Sequence, residues 1–271
     1  MLVAYMRAVA DVGASHVRNC HDPTARVFLN DRSLRRLAKI QEQLQSGQPT
    51  MTLAYARVSS DLMALRTSAI DAAVRTAIAR GTAQIVILGA GLDGRAWRMP
   101  ELAGARVFEV DHPATQAFKR RHVDALGHAI ASVTFVSVDF EHESLGAALA
   151  RAGNDATHPT CWIWEGVVMY LTPDVVMSTL SNIAARSAAG STLIVNYHTT
   201  MRSGLVRLLL RMVGEPVRSK WSPEEMADAL RAVGFGVVED SGVAEWANRY
   251  ATGIVDTRVG NIMRIVVGTR A

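Results

Sequence analysis

One stretch, Gln84 to Pro113, limits what this chain can fold into more than any other; it reads QIVILGAGLDGRAWRMPELAGARVFEVDHP. Ile85 to Leu88 is a continuous run of β-branched and aliphatic residues, the length of a buried parallel strand and too short for a helix. Gly89-Ala90-Gly91-Leu92-Asp93-Gly94 follows at once, where glycine allows a tight turn and lets a ligand approach the backbone. A second strand, Arg106 to Val110, ends in Asp111, whose carboxylate can accept two hydrogen bonds from vicinal hydroxyls. This is the layout of a nucleoside-binding crevice.

Residues 89 to 94 also match G-x-G-x-x-G, with Asp111 near the position of a dinucleotide-binding acid. Two cofactor classes fit: NAD-type dinucleotides, whose pyrophosphate sits at a helix N-terminus, and S-adenosylmethionine, which has an adenosine and no phosphate. The rest of the chain has to discriminate between them.

Before the glycine loop, residues 1 to 80 read as a helical cap. Asp22-Pro23 opens a helix, Asp31 to Gln45 continues as a basic amphipathic one, and Gly47-Gln48-Pro49 breaks it. From Thr50 to Arg80, Leu53, Val58, Leu62, Leu65, Ile70, Val74 and Ile78 recur at helical spacing, with Arg66 on the same segment. After it, strands and helices alternate. A helix spans Ala114 to Ala125, a strand Val133 to Val138 is closed by Asp139-Phe140, and a strand from Cys161 leads into the loop carrying Glu165. A helix from Thr172 to Ala188 precedes a strand at Ser191 to Tyr197. Residues 198 to 220, with Arg202, Arg207 and Arg211, interrupt the alternation and fit a lid. A capped helix from Ser222 to Val233 and strands at 235–239 and 261–268 close the chain. The expectation is an α/β doubly wound sheet over residues 81–271 with an appended helical segment over 1–80. In an open parallel sheet ligands bind outside the carboxyl ends of the strands, where Asp111, Asp139 and Glu165 fall.

Composition removes several function classes. Cys20 and Cys161 are far apart, so neither a disulfide framework nor a zinc site is indicated, and the eight histidines lack metal-ligand spacing. The net charge of +4 fits a solvated basic face better than nucleic-acid binding. No run of about 20 apolar residues exists, and the first residues lack the pattern of a secretory signal. The expectation is a cytoplasmic protein with no metal, membrane or nucleic-acid partner, monomeric or homodimeric.

The run VILGAGLDGRAWRMP followed by FEVDHPATQAFKRR resembles the leucine carboxyl methyltransferase family, including the branch that methylates polyketide natural products. DPTARVFLND, LRTSAID, SVDF, WEGVVMYLTP and GEP…SPEEMADALRAVGF extend the resemblance over most of the chain. It implies a class I, Rossmann-like methyltransferase sheet of seven strands, the last inserted antiparallel, and S-adenosylmethionine as cofactor. It further implies Arg66 on the methionine carboxylate, Gly89, Ala90 and Gly91 along the methionine and ribose, and Asp111 on the ribose hydroxyls. Asp139 would take the adenine amino group with Phe140 beside it, Glu165 the methionine amino group, and Asp93 would hold the loop. Many members have threonine where this chain has Gly94.

Methyl transfer needs alignment and exclusion of water, and an ionised carboxylate acceptor needs no general base. A phenol or alcohol would use one, for which Tyr197 and His198 stand at the end of the fifth strand, with Tyr170 and His112 nearby. The expected function is O-methyl transfer to a small acidic or phenolic molecule such as a polyketide. The alternatives are an NAD(P)-dependent oxidoreductase and a protein that binds S-adenosylmethionine without turnover.

Overall fold

The computed structural model describes residues 1–17, 20–48, 50–139, 143–199, 217–253, 255, 257 and 262–271. Seven strands form one sheet in the order β3-β2-β1-β4-β5-β7-β6. They are β1 (Gln84–Leu88), β2 (Arg106–Asp111), β3 (Ser132–Ser137), β4 (Thr160–Trp164), β5 (Thr192–His198), β6 (Phe235–Gly242) and β7 (Met263–Arg270). The first five pair in parallel, and β7 runs antiparallel to both β5 and β6. The order reverses between β1 and β4, and this switch point opens a crevice at their carboxyl ends.

Both faces of the sheet are buried, and side chains alternate between them with the two-residue period of a strand. Ile85, Ile87, Val107, Ile163 and Ile194 pack on one side, where Ile70 and Val74 meet them. Val86, Leu88, Phe108, Trp162, Val195 and Tyr197 pack on the other. This two-sided burial is why β1 and β4 read as unbroken apolar runs rather than alternating ones.

Three helices precede the sheet: α1 (Leu2–Val9), α2 (Asp31–Ser46) and α3 (Met51–Ala79). Asn30 caps α2 by accepting from Ser33 N, and Thr50 caps α3 by accepting from Leu53 N at 3.1 Å. α1 packs on α2 and α3 through Ala4, Ala8, Leu37, Ile40 and Leu53.

Several local expectations are corrected. Pro23–Phe28 is a 3-10 helix, and the Asp22 side chain does not cap it, because that carboxylate is buried among Thr24, Arg7 and Arg98. A short helix, α4 (Arg95–Arg98), follows the glycine loop, and the helix expected after β2 is in two pieces: α5 covers Pro113–Arg120 and a separate 3-10 turn covers Val123–Leu126. His122 tightens that break, its Nδ1 lying 2.9 Å from Phe118 O. The helix from Pro173 stops at Ala185, where the Ser187 hydroxyl takes the Ile183 carbonyl at 2.7 Å. Two further helices, Leu145–Arg151 and Val243–Tyr250, have no counterpart in the sequence reading. Ser222 makes the expected capping box with Glu225. Of the 198–220 segment, residues 200–216, including Arg202, Arg207 and Arg211, lie outside the described residues, as does Phe140. Among the described residues no helix is long and apolar enough to cross a membrane, and no group of three or more His, Cys, Asp and Glu could hold a metal ion.

Candidate active site

The switch-point crevice encloses about 490 Å³ between the glycine loop, the middle of α3, the segment after β4, and α1. The loop is shaped by backbone conformations that favour glycine: φ is 64° at Gly89 and 50° at Gly91. A Cβ on Gly89 would lie 2.5 Å from Val167 Cγ2, so the loop and the segment after β4 approach only because that atom is missing. Ala90 N donates to Val110 O at 3.0 Å, and Gly91 N donates to Asp111 Oδ2 at 2.5 Å. His112 N donates to Asp111 Oδ1 at 2.7 Å. The Asp111 carboxylate is thus oriented by two backbone donors, with a lone pair left on each oxygen.

Below the loop lies a continuous set of buried ion pairs. Arg66 Nη2 is 2.8 Å from Glu165 Oε1, and Arg95 Nη1 is 2.8 Å from Glu165 Oε2. Arg95 also holds Asp71 at 2.7 Å through Nε, and Asp93 through Nη1. Arg98 Nη1 takes the second Asp71 oxygen at 2.6 Å. Burial by itself would raise the Glu165 and Asp71 carboxyls, but the adjacent guanidinium groups hold both below the usual range. Buried charge is tolerated here because each member has an opposite neighbour.

Behind the loop, Lys119 Nζ lies 2.5 Å from Glu109 Oε2 and donates to Asp93 O at 2.5 Å. Burial pushes the Glu109 carboxyl up to about 7, against the pull of Lys119.

The crevice brings together Arg66, Gly89, Ala90, Gly91, Asp93 and Glu165 as lining residues, together with Tyr170. Asp93 faces Arg95, accepting from its backbone N at 2.7 Å. Asp111 stands directly behind Gly91, and Asp139 follows β3 two residues beyond its end. Tyr197, a catalytic candidate from the sequence, is not among the residues that line the crevice. Its strand position turns it into the opposite core, fully buried, where its hydroxyl donates to Asp240 Oδ2 at 2.6 Å and its pKa is raised by burial and by Asp240. His198, one residue on, faces the other way. Burial, reinforced by Arg66, lowers its pKa to about 4, and its Nδ1 has no hydrogen-bond partner among the described residues. Neither side chain lines the crevice.

Arg7, Asp71, Arg95 and Arg98 were not anticipated. The signal available was charge inside apolar periodicity: Asp61, Arg66 and Asp71 fall among Leu62, Leu65, Ile70 and Val74, all buried. A helix that buries charges must supply their partners elsewhere.

The sequence profile described as leucine carboxyl methyltransferase matches residues 1–184. The chain belongs to the leucine carboxyl methyltransferase family. A relative from Mycolicibacterium paratuberculosis, named "Putative S-adenosyl-L-methionine-dependent methyltransferase", is 38% identical over 178 residues, covering 65% of this chain and 56% of its own. The chain spans about half the length of the curated relatives it matches. Among solved structures, a DUF574 family protein from Streptomyces avermitilis has a similar fold, with a TM-score of 0.62 at 15% identity over 98% of this chain and 97% of that one. Magnesium protoporphyrin IX methyltransferase from Synechocystis, solved with bound S-adenosylhomocysteine, gives 0.52 at 16% identity over 90% and 97%. At these identities the likeness concerns the fold alone: a mostly parallel seven-stranded class I sheet.

Proposed function

We propose that this chain is an S-adenosylmethionine-dependent O-methyltransferase whose acceptor is the carboxylate of a small molecule. The observation that carries the reading is the Arg66–Glu165 pair in the crevice, 2.8 Å apart and lining it together. A cation and an anion side by side match the carboxylate and ammonium of an amino-acid end group, with the guanidinium fork suited to the carboxylate. Asp111, with its free lone pairs, suits the vicinal hydroxyls of a ribose.

The cofactor would supply a methyl group activated by sulfonium sulfur. The protein's part is then alignment and exclusion of water. Arg66 and Glu165 fix one end of the ligand, Asp111 the sugar, and the glycine loop permits close approach between them. α1, with Met1, Val3 and Ala4, walls the crevice on the acceptor side together with Met169 and Tyr170. This largely apolar wall suits an acceptor with a hydrophobic body. A carboxylate oxygen attacks without losing a proton, so the burial of Tyr197 and the low basicity of His198 are compatible with turnover.

The test is calorimetric titration with S-adenosylhomocysteine and, separately, NAD and NADP, followed by methyl transfer to carboxylic and phenolic acceptor panels. Binding of the first ligand alone, with transfer to acids, is the expected result. Binding of a nicotinamide nucleotide alone would overturn the reading.

A further inference from the structure

Two residues of the cofactor loop, Leu92 and Gly94, are met from outside by two elements of the helical cap. Arg7, on α1, donates from Nη2 to Leu92 O at 2.6 Å. Thr24, in the 3-10 helix, occupies the space above Gly94: a Cβ there would lie 2.8 Å from Thr24 Cβ and closer still to its hydroxyl oxygen. Asp22, fully buried between them, ties the two together. Its Oδ1 accepts from Thr24 Oγ1 at 2.5 Å, and its Oδ2 lies 3.4 Å from Arg7 Nη1. The Asp22 backbone N is itself fixed by Asp11 Oδ1 at 2.8 Å.

We infer that Arg7, Asp22 and Thr24 form a clasp that positions the Leu92–Gly94 end of the loop for ligand binding, and that Gly94 is glycine because the clasp needs the volume. The inference rests on the proposed cofactor role of the loop for its binding arm only. Three observations converge on it. Arg7 is buried yet lines the crevice, so its charge sits at the boundary between cap and ligand space. Its Nη2 bond goes to a backbone carbonyl, which fixes the loop's path rather than neutralising a charge. The third is the continuity of the ion pairs: Arg7 and Arg98 both approach Asp22 Oδ2, at 3.4 and 3.7 Å, and Arg98 continues through Asp71 and Arg95 to Glu165 and Arg66. The two ends of this series, Arg7 and Arg66, emerge in the same crevice. The cap and the ligand-facing pair are therefore parts of one electrostatic assembly, and a displaced α1 would move the loop and the acceptor wall together.

The literal glycine motif acquires a different meaning. The third glycine, which in a dinucleotide motif allows helix and strand to pack closely, here makes room for a threonine of the cap.

The experiment has two arms on the full chain. In the first, Arg7→Met is titrated with S-adenosylhomocysteine while its thermal midpoint is measured without ligand. The expected result is an affinity about tenfold weaker, the equivalent of one lost charged hydrogen bond, together with a lowered midpoint, because buried Asp22 loses the nearer of its two guanidinium neighbours. A wild-type affinity would overturn the clasp, as would a lowered midpoint with unchanged affinity, which is the signature of a purely structural contact. If Arg7→Met does not fold, Arg7→Gln is read in the same way. In the second arm, midpoints of Gly94→Ala, Thr24→Gly and the double variant form a cycle without ligand. Gly94→Ala should lower the midpoint by several degrees, and Thr24→Gly should suppress that loss in the double variant. Simple additivity would overturn the clasp. If the wild type does not bind S-adenosylhomocysteine at all, the proposed function fails and the clasp stands or falls on the second arm.

Discussion

Arg66 Nη2 lies 2.8 Å from Glu165 Oε1, joining a guanidinium from the middle of α3 to a carboxylate from the loop after β4 across the crevice. Glu165 is also held by Arg95, so removing Arg66 leaves the carboxylate paired while taking away the ligand's cationic partner. Arg66→Met should therefore weaken S-adenosylhomocysteine by about 1.5–3 kcal/mol and leave adenosine nearly unaffected. Equal losses for the two ligands, measured by calorimetry, would remove Arg66 from the amino-acid end.

Asp111 should give the opposite pattern. Its oxygens accept from Gly91 N and His112 N, and the ribose is common to both ligands. Asp111→Ala is expected to weaken adenosine and S-adenosylhomocysteine alike, by about 1.5–3 kcal/mol each. An effect confined to one of them would contradict a sugar-binding role.

The Tyr197 hydroxyl is turned to Asp240 in the core and away from the crevice. Tyr197→Phe deletes the donation to Asp240 and the hydroxyl's interaction with Arg264, while Asp240 retains Arg264 at 2.8 Å. Stability should fall by about 1–2 kcal/mol in urea unfolding, while kcat and KM remain at wild-type values. A large fall in kcat with unchanged stability would return Tyr197 to the site.

How far the sequence carried the fold follows from what each element depends on. The central strands β1, β4 and β5 were legible because they are buried on both faces, and burial writes itself as short apolar runs such as IVIL and CWIW. Val243–Tyr250 was not, because its buried face is only Val243 and Trp246, too few positions to show a helical period. The cofactor loop was legible because its glycines answer to positive φ and to Val167. The clasp was not, since a contact between Thr24 and Gly94 depends on tertiary placement that no local spacing encodes. Tyr197 and His198 were indistinguishable as neighbours in sequence, and only the pleat separates them, turning one into the core beside Val266 and the other toward Arg66.

The Glu109–Lys119 pair behind the loop is almost wholly buried, with both side chains 1% exposed. Glu109→Gln leaves the Lys119 ammonium buried with a neutral partner, and should cost about 3 kcal/mol of unfolding free energy. The double variant Glu109→Met/Lys119→Met removes both charges and should recover most of that loss. Chemical denaturation of the three proteins checks it, and a double variant no better than Glu109→Gln would show that Lys119 acts chiefly through Asp93 O.

His198 sets an acid limit on stability. Its pKa is lowered by burial and by Arg66 from 6.5 to about 4 in the folded protein, so between these values the unfolded chain binds the proton and the folded one does not. Stability from this group is therefore fully present above pH 6.5 and is lost as pH falls toward 4, by about 3 kcal/mol across the window. His198→Gln should flatten that part of the pH–stability curve relative to wild type, as read by urea unfolding at a series of pH values. Turnover of a carboxylate acceptor should keep its pH profile above 6.5 in the same variant, because no proton leaves the nucleophile. A large fall in kcat with loss of the acid limb near pH 4 would instead mark His198 as a base for a hydroxyl acceptor, and the carboxylate assignment would have to be given up.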